Sequence, residues 1–107
     1  MLIWPDGDRY EGEFAHGNMH GFGRYFYDDG DVYAGEYNKD VKEGKGIYQY
    51  SDGSKYEGYW KGDKMHGKGT FTYEDGDRYI GDFKNDMEDG KGVLEYTNGV
   101  RFEGQFS

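Results

Sequence analysis

The sequence predicts an all-β fold: an antiparallel β-hairpin meander of about ten short strands, laid out as one elongated single-layer repeat sheet curled into a trough. Three observations carry this. The chain of 107 residues holds 20 Gly and a single Pro, too much glycine for helices. The glycines fall on a 23-residue period, as Gly7, Gly30, Gly53, Gly76 and Gly99 and again as Gly12, Gly35, Gly58, Gly81 and Gly104. Between them, apolar and polar residues alternate with the period of two that belongs to a strand.

The elements follow in order. Leu2-Ile3-Trp4 forms a leading half repeat within residues 1–6, followed by repeats at about 7–29, 30–52, 53–75 and 76–98 and a closing half repeat at 99–107, all in one domain. Each repeat contributes two strands. In the first strand Tyr10, Gly12 and Phe14 share a face opposite Arg9, Glu11 and Glu13; the equivalents are Tyr33/Tyr37, Tyr56/Trp60, Tyr79/Phe83 and Phe102/Phe106. In the second, Gly21, Gly23, Tyr25 and Tyr27 oppose Phe22, Arg24 and Phe26, with Tyr48/Tyr50, Phe71/Tyr73 and Leu94/Tyr96 in register and Trp4 at the matching place before them.

Face parity selects the turn inside Asp28-Asp29-Gly30 and its equivalents. A two-residue loop would split the rings between faces. A three-residue loop with Gly third, in the left-handed conformation of a bulge, pairs Tyr25 with Tyr33 and Gly23 with Gly35. The same loop pairs Tyr48 with Tyr56, Phe71 with Tyr79 and Leu94 with Phe102. The links from Ala15 to His20 and their equivalents read as longer and less regular. Rows of rings then alternate with rows of glycine, so each ring lies over bare backbone, and replacing Gly35 or Gly58 by Val is expected to destabilise the sheet. The opposite face carries charged residues such as Glu11, Lys45, Glu57, Lys68, Lys91 and Glu103. The sheet is expected to extend about 45 Å at about 4.8 Å per strand, with the rings on its concave side.

Composition excludes several functions. Only 34% of residues are hydrophobic and the formal net charge is -9, a combination that signals disorder were it not for 12 Tyr, 7 Phe and 2 Trp. A chain this acidic lacks the basic footprint of a nucleic-acid binder. No apolar run reaches the ~20 residues of a membrane span, and Met1-Leu2-Ile3-Trp4-Pro5-Asp6 lacks the basic start of a signal peptide. The absence of Cys removes disulfides and thiolate metal sites and fits an intracellular location.

No chemistry-bearing constellation emerges. His20 and His66 lie four strands apart, about 19 Å, too far to share an ion held at about 2 Å, and His16 with His20 lacks a third ligand; loop contacts to backbone account for all three. Turns such as Asp28-Asp29-Gly30-Asp31 and Glu74-Asp75-Gly76-Asp77 lack the ligand spacing of a calcium loop and read as solvated turns. The Gly-x-Gly pairs have no third glycine and no following helix, so they are not a dinucleotide fingerprint. Ser51, Ser54 and Ser107 form no nucleophile motif. The expectation is a protein that is not an enzyme, with no cofactor and no metal.

Tyr56-Glu57-Gly58-Tyr59-Trp60-Lys61-Gly62-Asp63-Lys64-Met65-His66-Gly67-Lys68-Gly69 resembles a MORN (membrane occupation and recognition nexus) repeat, and the resemblance spans the chain. Lys42-Glu43-Gly44 and Glu88-Asp89-Gly90 depart from it where the other repeats have Met-His-Gly. The resemblance implies a scaffold role, in cytoskeletal, ciliary or junctional settings or beside enzyme domains, and end-to-end homodimers.

The residues themselves point to a protein-interaction scaffold, because a long face of contiguous rings is a binding surface. The expected partner-binding groove comprises Tyr10, Phe14, Tyr25, Tyr33, Tyr37, Tyr48, Tyr56, Trp60, Tyr79 and Phe83. Its partner is a peptide or helix with apolar and basic residues, favoured by the negative charge. Truncating Trp60 and Tyr37 together is expected to weaken binding while leaving the sheet largely formed. Leu2, Ile3, Trp4, Phe102 and Phe106 mark edges for self-association. Two alternatives stand beside this: a membrane-surface module recognising anionic phospholipid, disfavoured because no basic cluster is visible, and an accessory domain of a larger enzyme. The expected location is cytoplasmic or cytoskeletal, with a peripheral membrane placement as the alternative.

Overall fold

A computed structural model of the chain describes residues 2–106; Met1 and Ser107 lie outside them. The described residues form one antiparallel sheet of ten strands in sequence order: β1 (Leu2–Ile3), β2 (Arg9–Ala15), β3 (Asn18–Phe26), β4 (Val32–Asn38), β5 (Val41–Gln49), β6 (Lys55–Lys61), β7 (Lys64–Thr72), β8 (Arg78–Lys84), β9 (Met87–Glu95) and β10 (Arg101–Phe106). The sheet does not close, and β1 and β10 each pair on one side only. Its extents are 46 × 23 × 17 Å, the length expected of strands stacked about 4.8 Å apart.

The pairing inferred from face parity is the observed one. Tyr25 faces Tyr33, Gly23 faces Gly35, Tyr48 faces Tyr56, Phe71 faces Tyr79 and Leu94 faces Phe102. The loop between β3 and β4 is the three-residue Asp28-Asp29-Gly30: the Tyr27 amide donates to the Asp31 carbonyl (3.0 Å) and the Gly30 amide to the Tyr27 carbonyl (3.1 Å). Gly30 sits at φ 100°, a conformation that side chains rarely tolerate.

The other class of link differs from expectation. It is a two-residue turn, not a long loop. Ala15 pairs with Asn18, Asn38 with Val41, Lys61 with Lys64 and Lys84 with Met87. Both central residues of the second turn have positive φ, Lys39 at 50° and Asp40 at 70°, and Asn85 and Asp86 repeat this at 51° and 72°. This is the left-handed turn that matches the twist of a hairpin, and it extends the second strand of each repeat to nine residues. The irregularity suspected in the turn lies within the ladder instead. Between Gly12↔Gly23 and Phe14↔Met19 the register shifts, skipping Glu13 on β2 against three residues of β3. His20 therefore belongs to a strand, not to a loop.

The interior is a one-sided core made of rings. Tyr10, Tyr33, Tyr56 and Tyr79 have no accessible surface, and Tyr37, Trp60, Met65 and Phe83 are buried with them. Ten rings, Phe14, Tyr10, Tyr37, Tyr33, Trp60, Tyr56, Phe83, Tyr79, Phe106 and Phe102, each touch the next edge-to-face, with centroids 4.9–5.7 Å apart and planes at 78–90°. This is the geometry that ring quadrupoles prefer. Because the zigzag crosses from each repeat into the next, it supplies the interface on which an array of repeats depends.

Candidate aromatic interaction surface

Each fully buried tyrosine spans the glycine row. A Cβ built on Gly46 would stand 2.2 Å from the Tyr33 hydroxyl, and the same collision recurs between Gly69 and Tyr56. The hydroxyl then donates to the carbonyl of the residue that the ladder skips: Tyr10 to Glu13, Tyr33 to Glu36, Tyr56 to Tyr59 and Tyr79 to Asp82, at 2.8–3.0 Å. The bulge thus leaves a carbonyl without a strand partner and the ring satisfies it. Sequence reasoning missed this role, although the column is Tyr in four repeats.

The acidic turns are part of the framework. Asp31 accepts from the Tyr48 hydroxyl (2.8 Å) and the Ser51 amide (2.7 Å), and Asp8 does the same for Tyr25 and Asp28. Where the third repeat has Phe71, with no hydroxyl to bind, Ser54 replaces the aspartate. The two-residue turns clamp adjacent repeats: the Asp40, Asp63 and Asp86 carboxylates accept from the Met19, Lys42 and Met65 amides at 2.7–2.9 Å, while their own amides donate back to the carbonyls of those residues.

The expected groove residues fall into two groups. Tyr10, Tyr33, Tyr37, Tyr56, Trp60, Tyr79 and Phe83 lie in the core, so their rings hold the sheet together and offer almost no area to a partner. Tyr25 and Tyr48 are half-buried, and Phe14 is 48% exposed. Tyr25 and Tyr48 belong to a second ladder over that core, in which Trp4, Tyr25, Tyr27, Tyr48, Tyr50, Phe71 and Tyr73 succeed one another at 4.5–5.7 Å. Of the expected self-association residues, Leu2, Ile3 and Phe102 are exposed, while Trp4 and Phe106 are half-buried against the core.

On the face opposite the rings lies a depression of about 850 Å³, lined by Lys68, Thr70, Ile80, Lys91 and Val93 beside Gly58, Gly69, Gly81 and Gly92. The ring side holds smaller depressions of about 350 and 510 Å³. The buried tyrosines fill the space above the glycine row on their own side, so the open volume is left on the other.

Burial governs the electrostatics of this face. It raises the Tyr27 and Tyr56 hydroxyls from an ordinary 10.0 to about 12, and it pushes up Tyr33, Tyr37 and Tyr48 as well. Nearby Asp63 adds to the effect on Tyr27, and Asp31, through its hydrogen bond, to that on Tyr48. A hydroxyl whose value is raised by folding contributes stability that is complete below pH 10 and is lost as pH rises toward the folded value. The sheet is therefore expected to unfold between about pH 10 and pH 12, with ionisation of the buried tyrosines and loss of the β circular dichroism signal in a single step. Ionisation of Tyr33 and Tyr56 with the sheet intact near pH 10 would mean that these rings are solvated.

Among the described residues no three His, Asp or Glu side chains cluster to hold a metal ion, and no helix is long and apolar enough to cross a membrane. No curated protein matches the chain in sequence comparison. The MORN repeat profile matches residues 10–32, 33–55, 56–78 and 79–101, four tandem units without a gap. Its repeat starts at the buried tyrosine, three residues after the turn glycine from which the repeats above were counted. MORN repeats are non-catalytic modules that mediate protein or membrane-lipid interactions. With that profile covering most of its length, the chain belongs to the MORN-repeat family.

Proposed function

We propose that this protein is a non-enzymatic interaction scaffold that holds a peptide or helix of a partner protein along its ring face. The half-exposed ladder from Trp4 to Tyr73 carries this reading: it is contiguous apolar surface running along the sheet, which marks interaction sites, and it lies over a core that other rings complete. The net charge of -9 favours a segment with Lys or Arg among its apolar anchors.

The reading is tested with an amphipathic Leu/Lys peptide in a fluorescence titration. Tyr50→Ala and Phe71→Ala together are expected to weaken binding about tenfold, roughly 1.4 kcal/mol. Binding that survives this pair and disappears on Ile80→Asp places the partner in the depression on the opposite face and overturns the ring-face assignment. Co-sedimentation with phosphatidylserine and phosphoinositide vesicles at near-physiological salt separates the membrane alternative: pelleting that salt abolishes would replace a protein partner with anionic lipid. Pairing of the exposed edge strand β10 between copies is the proposed route to end-to-end dimers, and Phe102→Asp is expected to shift a dimer to monomer in light scattering.

A further inference from the structure

Met19, Lys42, Met65 and Glu88 occupy one position per repeat, spaced 23 residues apart; in the first and third repeats a methionine there plugs the ring core. In the second repeat the plug is a cation. The Lys42 ammonium lies 5.4 Å from the centroid of Trp60, 5.6 Å from that of Tyr33 and 5.8 Å from that of Tyr48. It is 3.6 Å from a carboxylate oxygen of Asp63 and 3.4 Å from the Tyr27 hydroxyl, and its side chain is only 13% exposed. Rings and a carboxylate around an ammonium are the elements of a cation cage.

One repeat further on, the equivalent cage is filled by a neutral side chain, Met65. Phe71 stands for Tyr48, Phe83 for Trp60 and Asp86 for Asp63. The Asp86 carboxylate is held as Asp63 is, accepting from the amide of the plug residue, at 2.9 Å against 2.8 Å. The plug is the neutral, buried Met65, and beside it opens the ring-face depression of about 350 Å³, whose walls include Phe71, Phe83 and Asp86. Tyr73 of the third repeat and Glu88 of the fourth complete this wall, fixed to each other by a 2.5 Å hydrogen bond from the tyrosine hydroxyl. The open site keeps two of the three rings of the Lys42 cage, Phe71 and Phe83, with Tyr73 as a third aromatic wall and Glu88 as a second carboxylate.

We propose that this depression binds an ammonium group, presented by a lysine side chain of the partner. The partner rests on the ring-face reading above, but the pocket itself can be tested without one. Chemical shifts of the full chain are followed while N-acetyl-lysine methylamide is added, with N-acetyl-norleucine methylamide as the neutral control. The lysine compound is expected to move the amides of Phe71, Phe83 and Met87 in a saturable way, and the norleucine compound to leave them unmoved. Asp86→Asn with Glu88→Gln keeps the shapes and the turn, removes both charges, and is expected to weaken the lysine response at least tenfold while the β circular dichroism signal shows the sheet still folded. Met65→Lys carries the Lys42 arrangement into the third repeat and is expected to abolish the response, whereas Lys42→Met is expected to open a second site that moves Tyr48 and Trp60. Equal responses to both compounds, no response to lysine, or a response that survives Met65→Lys would overturn the proposal. A peptide that binds the ring face while the lysine compound does not would leave the scaffold reading standing and remove only this one.

Discussion

Gly58→Val is expected to unfold the protein or to cost about 3 kcal/mol or more, at the upper end of what overpacking does. A Cβ at Gly58 would lie 2.5 Å from the Gly69 Cα and 2.6 Å from the Lys68 carbonyl oxygen, both backbone atoms of the neighbouring strand, and 2.7 Å from the Tyr56 hydroxyl. A flexible side chain could swing away; a paired strand cannot. Gly35→Val meets the same obstacle, 2.4 Å from the Gly46 Cα. The damage would spread, because each repeat is stabilised by its neighbours and a central break leaves two shorter arrays. Gly62→Asn is the matched control: nothing lies within 4 Å of its Cβ position, and Asn85 occupies the equivalent turn position at φ 51° against 57° for Gly62. Its cost is expected to stay within about 0.5 kcal/mol. Urea denaturation followed by near-ultraviolet circular dichroism distinguishes the two, and equal midpoints would refute the account of the glycine row.

Much of this was legible in the sequence, and the physical reason is periodicity. Alternation with a period of two fixes the face of every residue, and a one-residue error in the loop would have moved Tyr33 and its equivalents off the ring face. Parity alone therefore recovered the Tyr25–Tyr33 pairing and the Asp28-Asp29-Gly30 loop. Parity is blind to shifts of two. The register shift between Gly12/Gly23 and Phe14/Met19 adds two residues to β3 and leaves every face unchanged, so the short turn at His16-Gly17 looked like a long link. The site was less legible than the fold. Sequence marks Tyr33 and Tyr48 alike as rings on one face, but the first is wholly buried and the second half-exposed. That difference comes from neighbours two strands away. In the sequence Lys42 shows only as a departure from the repeat pattern, because a lysine among rings shows its purpose only once Trp60 and Asp63 are placed around it.

Burial also reverses the expectation for the rings once taken as contacts. Trp60→Ala is expected to cost about 3–5 kcal/mol, the range for removing a buried large aromatic side chain. Trp60 is 5% exposed. It meets Tyr33 and Tyr56 edge-to-face at 5.4 and 5.2 Å and lies 5.9 Å from Tyr48, and its indole N–H donates to the Gly46 carbonyl at 3.3 Å. Truncation removes the ring that joins the second repeat to the third, uncovers the glycine row, and leaves the Lys42 ammonium facing a void where its nearest ring stood. Adding Tyr37→Ala removes the equivalent joint between the first and second repeats, where Tyr37 meets Tyr10 and Tyr33 edge-to-face. The double variant is therefore expected to be unfolded at room temperature, since a domain of this size is stable by only about 5–15 kcal/mol. Tyr50→Ala is the informative contrast, because Tyr50 is half-buried in the outer ladder, touching Tyr48 and Phe71, and its loss is expected to cost about 1 kcal/mol. Thermal melts of the three variants order the two ladders. If Trp60→Ala with Tyr37→Ala melts close to the wild type, the edge-to-face zigzag is not the core. If Tyr50→Ala proves as damaging as Trp60→Ala, the outer ladder is core as well, and no row of rings remains free to meet a partner.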